Sequence, residues 1–198
     1  MTEHPAGARP DDRLRPQVAG ILLAAGAGTR FGSPKITAHQ GDWVKRAVRS
    51  LADGGCGTVL VTMGAAVVEP PAPGEALIVG EWREGLSRSV EAGLRAARRA
   101  ADPSIVVLHV VDTPDVGPDV VRRVIAASGA RRSVLARATF GGRAGHPVVI
   151  GADHIDAVLA GLSGDVGAGP YLTAHADVVI EVECGDLATG ADHDVDGV

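Results

Sequence analysis

The sequence is poor in aromatic residues. Only five of its 198 residues are aromatic although 45% are hydrophobic, so the core must be built mainly from Ala, Val, Leu and Ile. So few rings leave little material for stacking nucleic-acid bases, and a net charge of −5 argues against a surface that attracts nucleic acid. We therefore predict no nucleic-acid partner.

Cysteine and long apolar runs are also scarce. Cys56 and Cys184 have no CxxC or Cys/His spacing around them, which excludes a zinc motif or a disulfide framework and favours a reduced, cytoplasmic location. No stretch approaches the roughly 18 to 20 apolar residues of a membrane span, so no membrane partner is predicted. Residues 1–17 are polar and lack the apolar run of a signal peptide. We predict a disordered tail over 1–17 and a single domain over 18–198.

Glycine, in contrast, is abundant, and the apolar residues are strongly patterned. The 27 glycines amount to about twice the average usage. Apolar, β-branched runs at 18–25, 58–63, 76–79, 105–111, 134–138, 147–150 and 178–182 predict strands. Segments 43–53, 87–101, 118–128, 152–161 and 167–175 predict helices between them. The alternation predicts an α/β fold, a three-layer α/β/α sandwich with a mostly parallel, Rossmann-like sheet.

A glycine-rich loop with two cations follows the first predicted strand. Gly26, Gly28 and Gly32 allow a tight turn that brings N–H groups close to a phosphate chain, and Arg30 and Lys35 supply positive charge. The spacing fits neither the Rossmann fingerprint GxGxxG nor the P-loop. Taken singly, the glycines are equally compatible with a structural turn, whereas the two cations favour a phosphate site.

An acidic turn follows the fourth predicted strand, at Asp112-Thr113-Pro114. A carboxylate at the carboxyl end of a central strand faces the crevice where α/β sheets bind ligands, and Mg²⁺ accepts one or two carboxylates together with phosphate oxygens. An Asp in a turn before proline is also a common structural cap.

Three further segments have both a structural and a functional interpretation. Ser87 is a plausible N-cap of the second predicted helix, and Asp165 of the last. His146 beside a glycine-rich stretch suits either a phosphate donor or a buried histidine at the start of a strand. The run 139–145 combines three glycines with an arginine, which suggests a loop over a ligand.

The run LAAGAGTRFGSPK at 23–35 closely resembles the LAAGxGxRxGxxK signature of the sugar-nucleotide-type nucleotidyltransferases, in particular the branch of molybdenum cofactor cytidylyltransferases and guanylyltransferases. Later segments match that branch in the right order along the chain. They are GLSRS at 85–89, DTP at 112–114, GHPV at 145–148, GDVGA at 164–168 and DVD at 194–196. The resemblance implies a nucleotidyltransferase sheet over nearly the whole chain from residue 18.

The resemblance also implies roles for residues. Arg30, Lys35 and Asp112 would be catalytic. The nucleotide and acceptor would contact Leu23, Ala24, Ala25, Gly26, Gly28, Lys35, Gly85, Leu86, Ser87 and His146. Mg²⁺ would be held by Asp112, Asp194 and Asp196. Two positions depart from the family pattern: Gly197 stands where a Thr usually follows the last acid, and Gly169 where an Arg commonly stands.

What the resemblance implies for activity is transfer of a nucleoside monophosphate onto a phosphorylated acceptor, with pyrophosphate released. Ala25 matches the cytidylyl branch, where the guanylyl branch has glycine, so CTP is expected and GTP is the alternative. The implied acceptor is molybdopterin or molybdenum cofactor, and the implied partner is a molybdenum oxidoreductase. A different acceptor, or a catalytically silent nucleotide-binding accessory protein for a molybdenum enzyme, remains an alternative.

Overall fold

Seven strands form one sheet at the centre of the protein. The computed structural model describes residues 17–29 and 31–193, and the predicted tail lies almost entirely outside them. The strands are β1 Val18–Leu23, β2 Thr58–Met63, β3 Gly74–Ile78, β4 Ile105–Val110, β5 Leu135–Phe140, β6 Arg143–Gly151 and β7 Val179–Glu183. Each of the seven predicted strands is present, with bounds shifted by a few residues.

The strand order is β3-β2-β1-β4-β6-β5-β7. Strand β6 is antiparallel to both of its neighbours, β4 and β5, and every other pairing is parallel. Strands β1 and β4 lie in the middle and carry nearly continuous apolar runs, as strands covered on both faces require. The carboxyl ends of β1, β2 and β4 consequently meet at one edge of the sheet.

The helices cover both faces. They are α1 Ala38–Gly54, α2 Leu86–Ala101, α3 Pro118–Ser128, α4 Ile155–Ala160 and α5 Gly169–Ala174, with short 3₁₀ turns at Lys35–Thr37, Trp82–Glu84 and Ala152–His154. The regular part of α1 follows Gly41, because His39, Gln40 and Gly41 have a left-handed backbone. The last predicted helix begins at Gly169, two residues later than expected.

Two apolar clusters, one on each face, hold the layers together. Alternating residues of β1 divide between them: Leu22 packs with α1 and α3, and Ile21 packs with α2, α4 and α5. Burial of each such aliphatic side chain contributes about 1.5–3 kcal/mol. The predicted three-layer α/β/α sandwich with a mostly parallel sheet is confirmed. In the part of the chain that the structure describes, no helix is long and apolar enough to cross a membrane.

Candidate active site

A cavity of about 800 Å³ opens at the edge where β1 and β4 end. Its walls are the loop after β1, the turn after β4 and the start of α2. Of the site residues that the sequence predicted, nine line it: Leu23, Ala24, Ala25, Gly26, Gly28, Lys35, Gly85, Leu86 and Asp112. The structure thus brings together residues that are nearly ninety positions apart in the chain.

The glycine loop keeps its shape only with glycine at position 28. Gly28 has a φ of +60°, and a Cβ there would lie 1.9 Å from the carbonyl oxygen of Ser33. The Gly32 N–H donates to the Gly28 carbonyl oxygen at 2.8 Å and closes the turn. A Cβ on Gly26 would meet no atom within 4 Å. The backbone at Gly26 therefore faces open space, where a phosphate group can approach its N–H.

Strand β2 fixes the beginning of this loop. The Thr62 hydroxyl, which is fully buried, donates to the Leu22 carbonyl oxygen and accepts the Ala24 N–H, each at 3.2 Å. The Ala65 N–H donates to the Ala25 carbonyl oxygen at 3.0 Å. Because these bonds hold the first loop residues before any ligand arrives, the N–H groups beyond them are oriented in advance.

An ion pair stands at the bottom of the cavity. Lys35 Nζ donates to Asp112 Oδ2 at 2.8 Å, and the two side chains are only 13% and 23% exposed. The buried side chain of Ile36 anchors the 3₁₀ turn that carries Lys35, and Asp112 follows the end of β4. One cation and one carboxylate thus lie beside the glycine loop. The cation suits phosphate oxygens, and the carboxylate suits a metal ion.

The residues at Asp112 fit a magnesium ion that is bound together with a nucleotide. Among residues 17–29 and 31–193, no group of three or more His, Cys, Asp or Glu side chains is placed to hold a metal alone. Mg²⁺ usually takes one or two carboxylates and completes its shell with phosphate oxygens and water. The His193 N–H donates to the Asp112 carbonyl oxygen at 3.0 Å, so the chain reaches Asp112 just before Asp194. Asp194, Asp196 and Arg30 lie outside the described residues.

The side of the cavity formed by α2 differs from the prediction at one residue. Ser87 is buried, its N–H donates to the Gly164 carbonyl oxygen at 3.0 Å, and it does not line the cavity. Gly85 is the N-cap of α2 and no side chain caps it, so the interpretation of Ser87 as N-cap is wrong. Ser89, two residues on, lines the cavity instead. The GLSRS run holds both serines, and only the phase of α2 distinguishes them.

Trp82 and Arg83 add an aromatic ring and a second cation to the cavity wall. The Arg83 guanidinium lies 4.4 Å from the centre of the Trp82 ring, and both side chains line the cavity. A Cβ on Gly64 would lie 2.5 Å from the Trp82 ring, so the ring can pack against the backbone here only because residue 64 is glycine. The sequence signal for Arg83 is weak, since it stands among the charged residues of an exposed turn.

A second cavity of about 600 Å³ adjoins the first and shares Leu23, Leu86, Val110 and Asp165 with it. His146 lines this second cavity and not the first. Its Nδ1 lies 3.4 Å from the Leu108 carbonyl oxygen, and burial lowers the pKa of the imidazole, which favours its neutral form. Two adjoining cavities suit two substrates that react where the cavities meet.

Only part of the run 139–145, which was predicted as a loop over a ligand, lines a cavity. Gly141 and Gly142 form a hairpin turn between β5 and β6, and their N–H groups donate to the Glu183 carboxylate. These backbone bonds lower the pKa of Glu183 to about 2. Arg143, Ala144 and Gly145 line the second cavity. Asp165 does not cap α5, because Ala168 is the N-cap; the Asp165 side chain lines both cavities.

Comparison with known proteins places the chain among nucleotide-dependent enzymes. The profile of the MobA-like NTP transferase domain matches residues 20–178. The sequence is 31% identical over 194 residues to nicotine blue oxidoreductase from Paenarthrobacter nicotinovorans, covering 90% of this chain and 93% of that protein.

Several solved structures have a similar fold. Rv0371c from Mycobacterium tuberculosis H37Rv superposes with a TM-score of 0.68 at 23% identity, covering 89% of this chain and 93% of that one. A nucleotidyl transferase from Methanothermobacter thermautotroptrophicus gives a TM-score of 0.67 at 20% identity, over 85% and 87% of the two chains. A further structure of Rv0371c, with a TM-score of 0.64, is a complex with manganese.

Proposed function

Because the chain belongs to the MobA-like NTP transferase family, we propose that it moves a nucleoside monophosphate from a nucleoside triphosphate onto a phosphorylated acceptor. The observation that carries the proposal is the Lys35–Asp112 pair at 2.8 Å, beside a glycine loop and next to the junction of two cavities. The first cavity would take the triphosphate and the second the acceptor.

The reaction needs positioning and charge neutralisation more than a protein nucleophile. An acceptor phosphate oxygen attacks the α-phosphorus in line, the bond between the α-phosphorus and the bridging oxygen breaks, and pyrophosphate leaves with that oxygen. The Gly26 and Gly28 N–H groups would bind the leaving pyrophosphate, and Lys35, with Arg30, would balance its charge. Asp112, with Asp194 and Asp196, would hold Mg²⁺, which supplies charge neutralisation on the phosphate oxygens when bound.

CTP is the proposed nucleotide and a molybdopterin-type acceptor the proposed second substrate. The support for CTP is Ala25, which lines the first cavity and is only 3% exposed, where guanylyl enzymes have glycine. GTP is the competing nucleotide. A molybdenum oxidoreductase that receives the product is the proposed partner.

Pyrophosphate release from each of the four triphosphates, with molybdopterin and Mg²⁺, tests this function. We expect release with CTP and about a hundredfold slower turnover in Asp112→Asn, the scale that loss of one charge-stabilising group gives. Asp42→Asn is the matched control, since Asp42 forms an exposed pair with Lys45 at 3.4 Å, away from the cavity lining. Full turnover in Asp112→Asn, or no pyrophosphate from any triphosphate, would overturn the proposal.

An oxidoreductase is the second candidate, and the relative from Paenarthrobacter favours it. The identity of 31% to that protein exceeds the 23% to Rv0371c, and it extends over almost the whole of both chains. A nicotinamide dinucleotide also carries a diphosphate that a glycine loop can bind. In this reaction the reduced nicotinamide gives a hydride to the second substrate, which also takes up a proton, and no pyrophosphate forms.

The two candidates separate in one pair of assays. The protein is mixed with nicotine blue and a reduced nicotinamide dinucleotide, and oxidation of the dinucleotide is followed by absorbance. Oxidation that depends on nicotine blue, with no pyrophosphate released from any triphosphate, would support the oxidoreductase. Pyrophosphate release without dinucleotide oxidation would support nucleotidyl transfer.

A further inference from the structure

The second cavity has an apolar body and few polar groups. Apolar side chains from four elements of the sheet and its helices form most of its wall, among them Leu108, Val148, Val90 and Leu172. Its ionisable side chains are Arg137, Arg143, His146, Asp165 and Asp192. Cavities of this size and composition bind small molecules with apolar surface and use a few polar groups to orient them.

Arg137 enters this cavity from the middle of β5. In the sheet it lies opposite Val148 of β6 on one side and Glu181 of β7 on the other. Val148 belongs to the apolar cluster on the face that α2, α4 and α5 cover, so Arg137 points to the same face. Its side chain is 23% exposed, whereas that of Glu181 is 54% exposed.

The Nη2 and Nε atoms of Arg137 differ in their hydrogen bonding. The terminal Nη2 donates to Glu181 Oε1, which holds the guanidinium in place. The Nε–H is buried and has no hydrogen-bond partner within the described part of the chain. Buried N–H groups in native proteins are almost always bonded to protein, water or ligand, so this donor lacks an acceptor, which a ligand can supply once the side chain turns toward the cavity.

The charge around Arg137 favours a neutral acceptor atom. Glu181 balances the guanidinium charge, and the same cavity is lined by one further cation, Arg143, and by two carboxylates, Asp165 and Asp192. Burial lowers the pKa of His146, which favours its neutral form. The surroundings therefore carry no excess positive charge that would select an acid, while the Nε–H is a donor that suits a carbonyl oxygen.

We propose that Arg137 selects the second substrate by donating its Nε–H to a neutral carbonyl oxygen on the ring body of that molecule. The inference rests on the proposed function in one respect, that the second cavity holds the molecule that reacts at the first. The carbonyl end lies in the second cavity, and the reacting end faces the side that both cavities share.

Calorimetric binding of three ring compounds tests this role. The probes are pterin, which has one amide-type carbonyl, 2-aminopteridine, which lacks that oxygen, and pterin-6-carboxylate, which adds an acid. We expect the wild type to bind pterin about tenfold more tightly than 2-aminopteridine, the ratio that one hydrogen bond to a charged group gives. The added carboxylate should bring no tighter binding.

Arg137→Lys keeps a cation for Glu181 and removes the Nε–H, so it should bind pterin and 2-aminopteridine equally well. Arg132→Lys is the matched control, because Arg132 forms an exposed pair with Asp153 at 3.4 Å away from the second cavity, and it should keep the tenfold preference. Glu181→Gln leaves the guanidinium charge unbalanced and should shift the preference toward pterin-6-carboxylate. This second variant keeps the test open if Arg137→Lys does not fold.

Three results would overturn the role of Arg137. These are a wild type that does not bind pterin, a wild type that binds pterin and 2-aminopteridine equally, and an Arg137→Lys protein that keeps the preference or loses affinity for both probes to the same extent. The last would indicate a purely structural residue. If the preference depends on Arg137 but no triphosphate releases pyrophosphate, nucleotidyl transfer fails and the role of Arg137 stands.

Discussion

Replacing His109 with leucine should remove much of the protein's sensitivity to mild acid. His109 is completely buried in β4, and neither ring nitrogen has a hydrogen-bond partner among the residues that the structure describes. Burial lowers the pKa of His109 to about 3, and the nearby His146 contributes in the same direction. The folded protein therefore holds this imidazole neutral at pH values well above 3.

The sign of the effect follows from proton binding. In the unfolded chain His109 titrates near its ordinary pKa of about 6.5. Below that pH the unfolded state binds a proton that the folded state does not bind, which favours unfolding. Stability is full above about pH 6.5 and falls as the pH drops toward 3. With a folded pKa of about 3, the free energy of unfolding should decrease by about 2 kcal/mol between about pH 7.5 and about pH 5. Burial lowers the pKa of His146 too, which adds to the decrease.

Urea unfolding of wild type and His109→Leu at those two pH values measures the effect. At the higher pH we expect the variant to be no less stable, because leucine replaces a buried polar group that makes no hydrogen bond. At the lower pH it should exceed the wild type by about 2 kcal/mol. The lowered pKa values of Glu183 and Asp186 bring their effects in below about pH 4.5, outside this interval. His39→Gln, at an exposed position, should keep the wild-type pH dependence. Equal pH dependence in His109→Leu and wild type would refute the reasoning.

Three further predictions concern the glycine loop, the Lys35–Asp112 pair and the hairpin turn between β5 and β6. Gly28→Ala forces an L side chain to a φ of +60° and against a carbonyl oxygen, so calorimetry should show at least tenfold weaker CTP binding. Gly32→Ala also takes an unfavourable φ, of +90°, but its Cβ meets open space, so it should lose less. Lys35→Met removes the partner of Asp112 and a phosphate-binding cation, so CTP affinity should fall about tenfold or more while the thermal midpoint changes little. Glu183→Gln keeps the shape of the side chain but loses charge-assisted bonds to the hairpin turn, so hydrogen exchange at the turn amides should accelerate. In the wild type these bonds stabilise the fold fully above about pH 4.5 and less as the pH falls toward 2, so the variant should be less stable than the wild type mainly above about pH 4.5.

The sheet and the glycine-loop wall of the first cavity could be predicted because short stretches of sequence specify them. The continuous apolar runs of β1 and β4 indicate strands covered on both faces, and the glycines between Ala25 and Lys35 specify a turn whose shape depends on few distant residues. Asp112 follows from the same rule, since carboxyl ends of parallel strands share an edge.

The residues that the sequence reasoning missed depend on helix phase and strand register. Ser87 and Ser89 are two positions apart, which is more than half a turn of α2, so only Ser89 lines the cavity. The run 139–145 has the composition of a ligand loop, yet Glu183 of β7 accepts the N–H groups of Gly141 and Gly142, and only the pairing of β5 with β7 brings that carboxylate there. No local pattern contains this information.

One loop motif can occur in enzymes that catalyse different reactions, because a short stretch of sequence specifies the loop. A phosphate chain is bound by backbone N–H groups from a single loop, so a transferase and an oxidoreductase that both use a diphosphate-bearing molecule can keep that loop. The second cavity is lined by residues of β1, β4, β5 and β6 together with α2 and α5, and it shares only Leu23, Leu86, Val110 and Asp165 with the first. We therefore propose that the second cavity decides the reaction. Substitutions at Arg137 and its neighbours should change which molecule reacts while CTP affinity stays near the wild-type value.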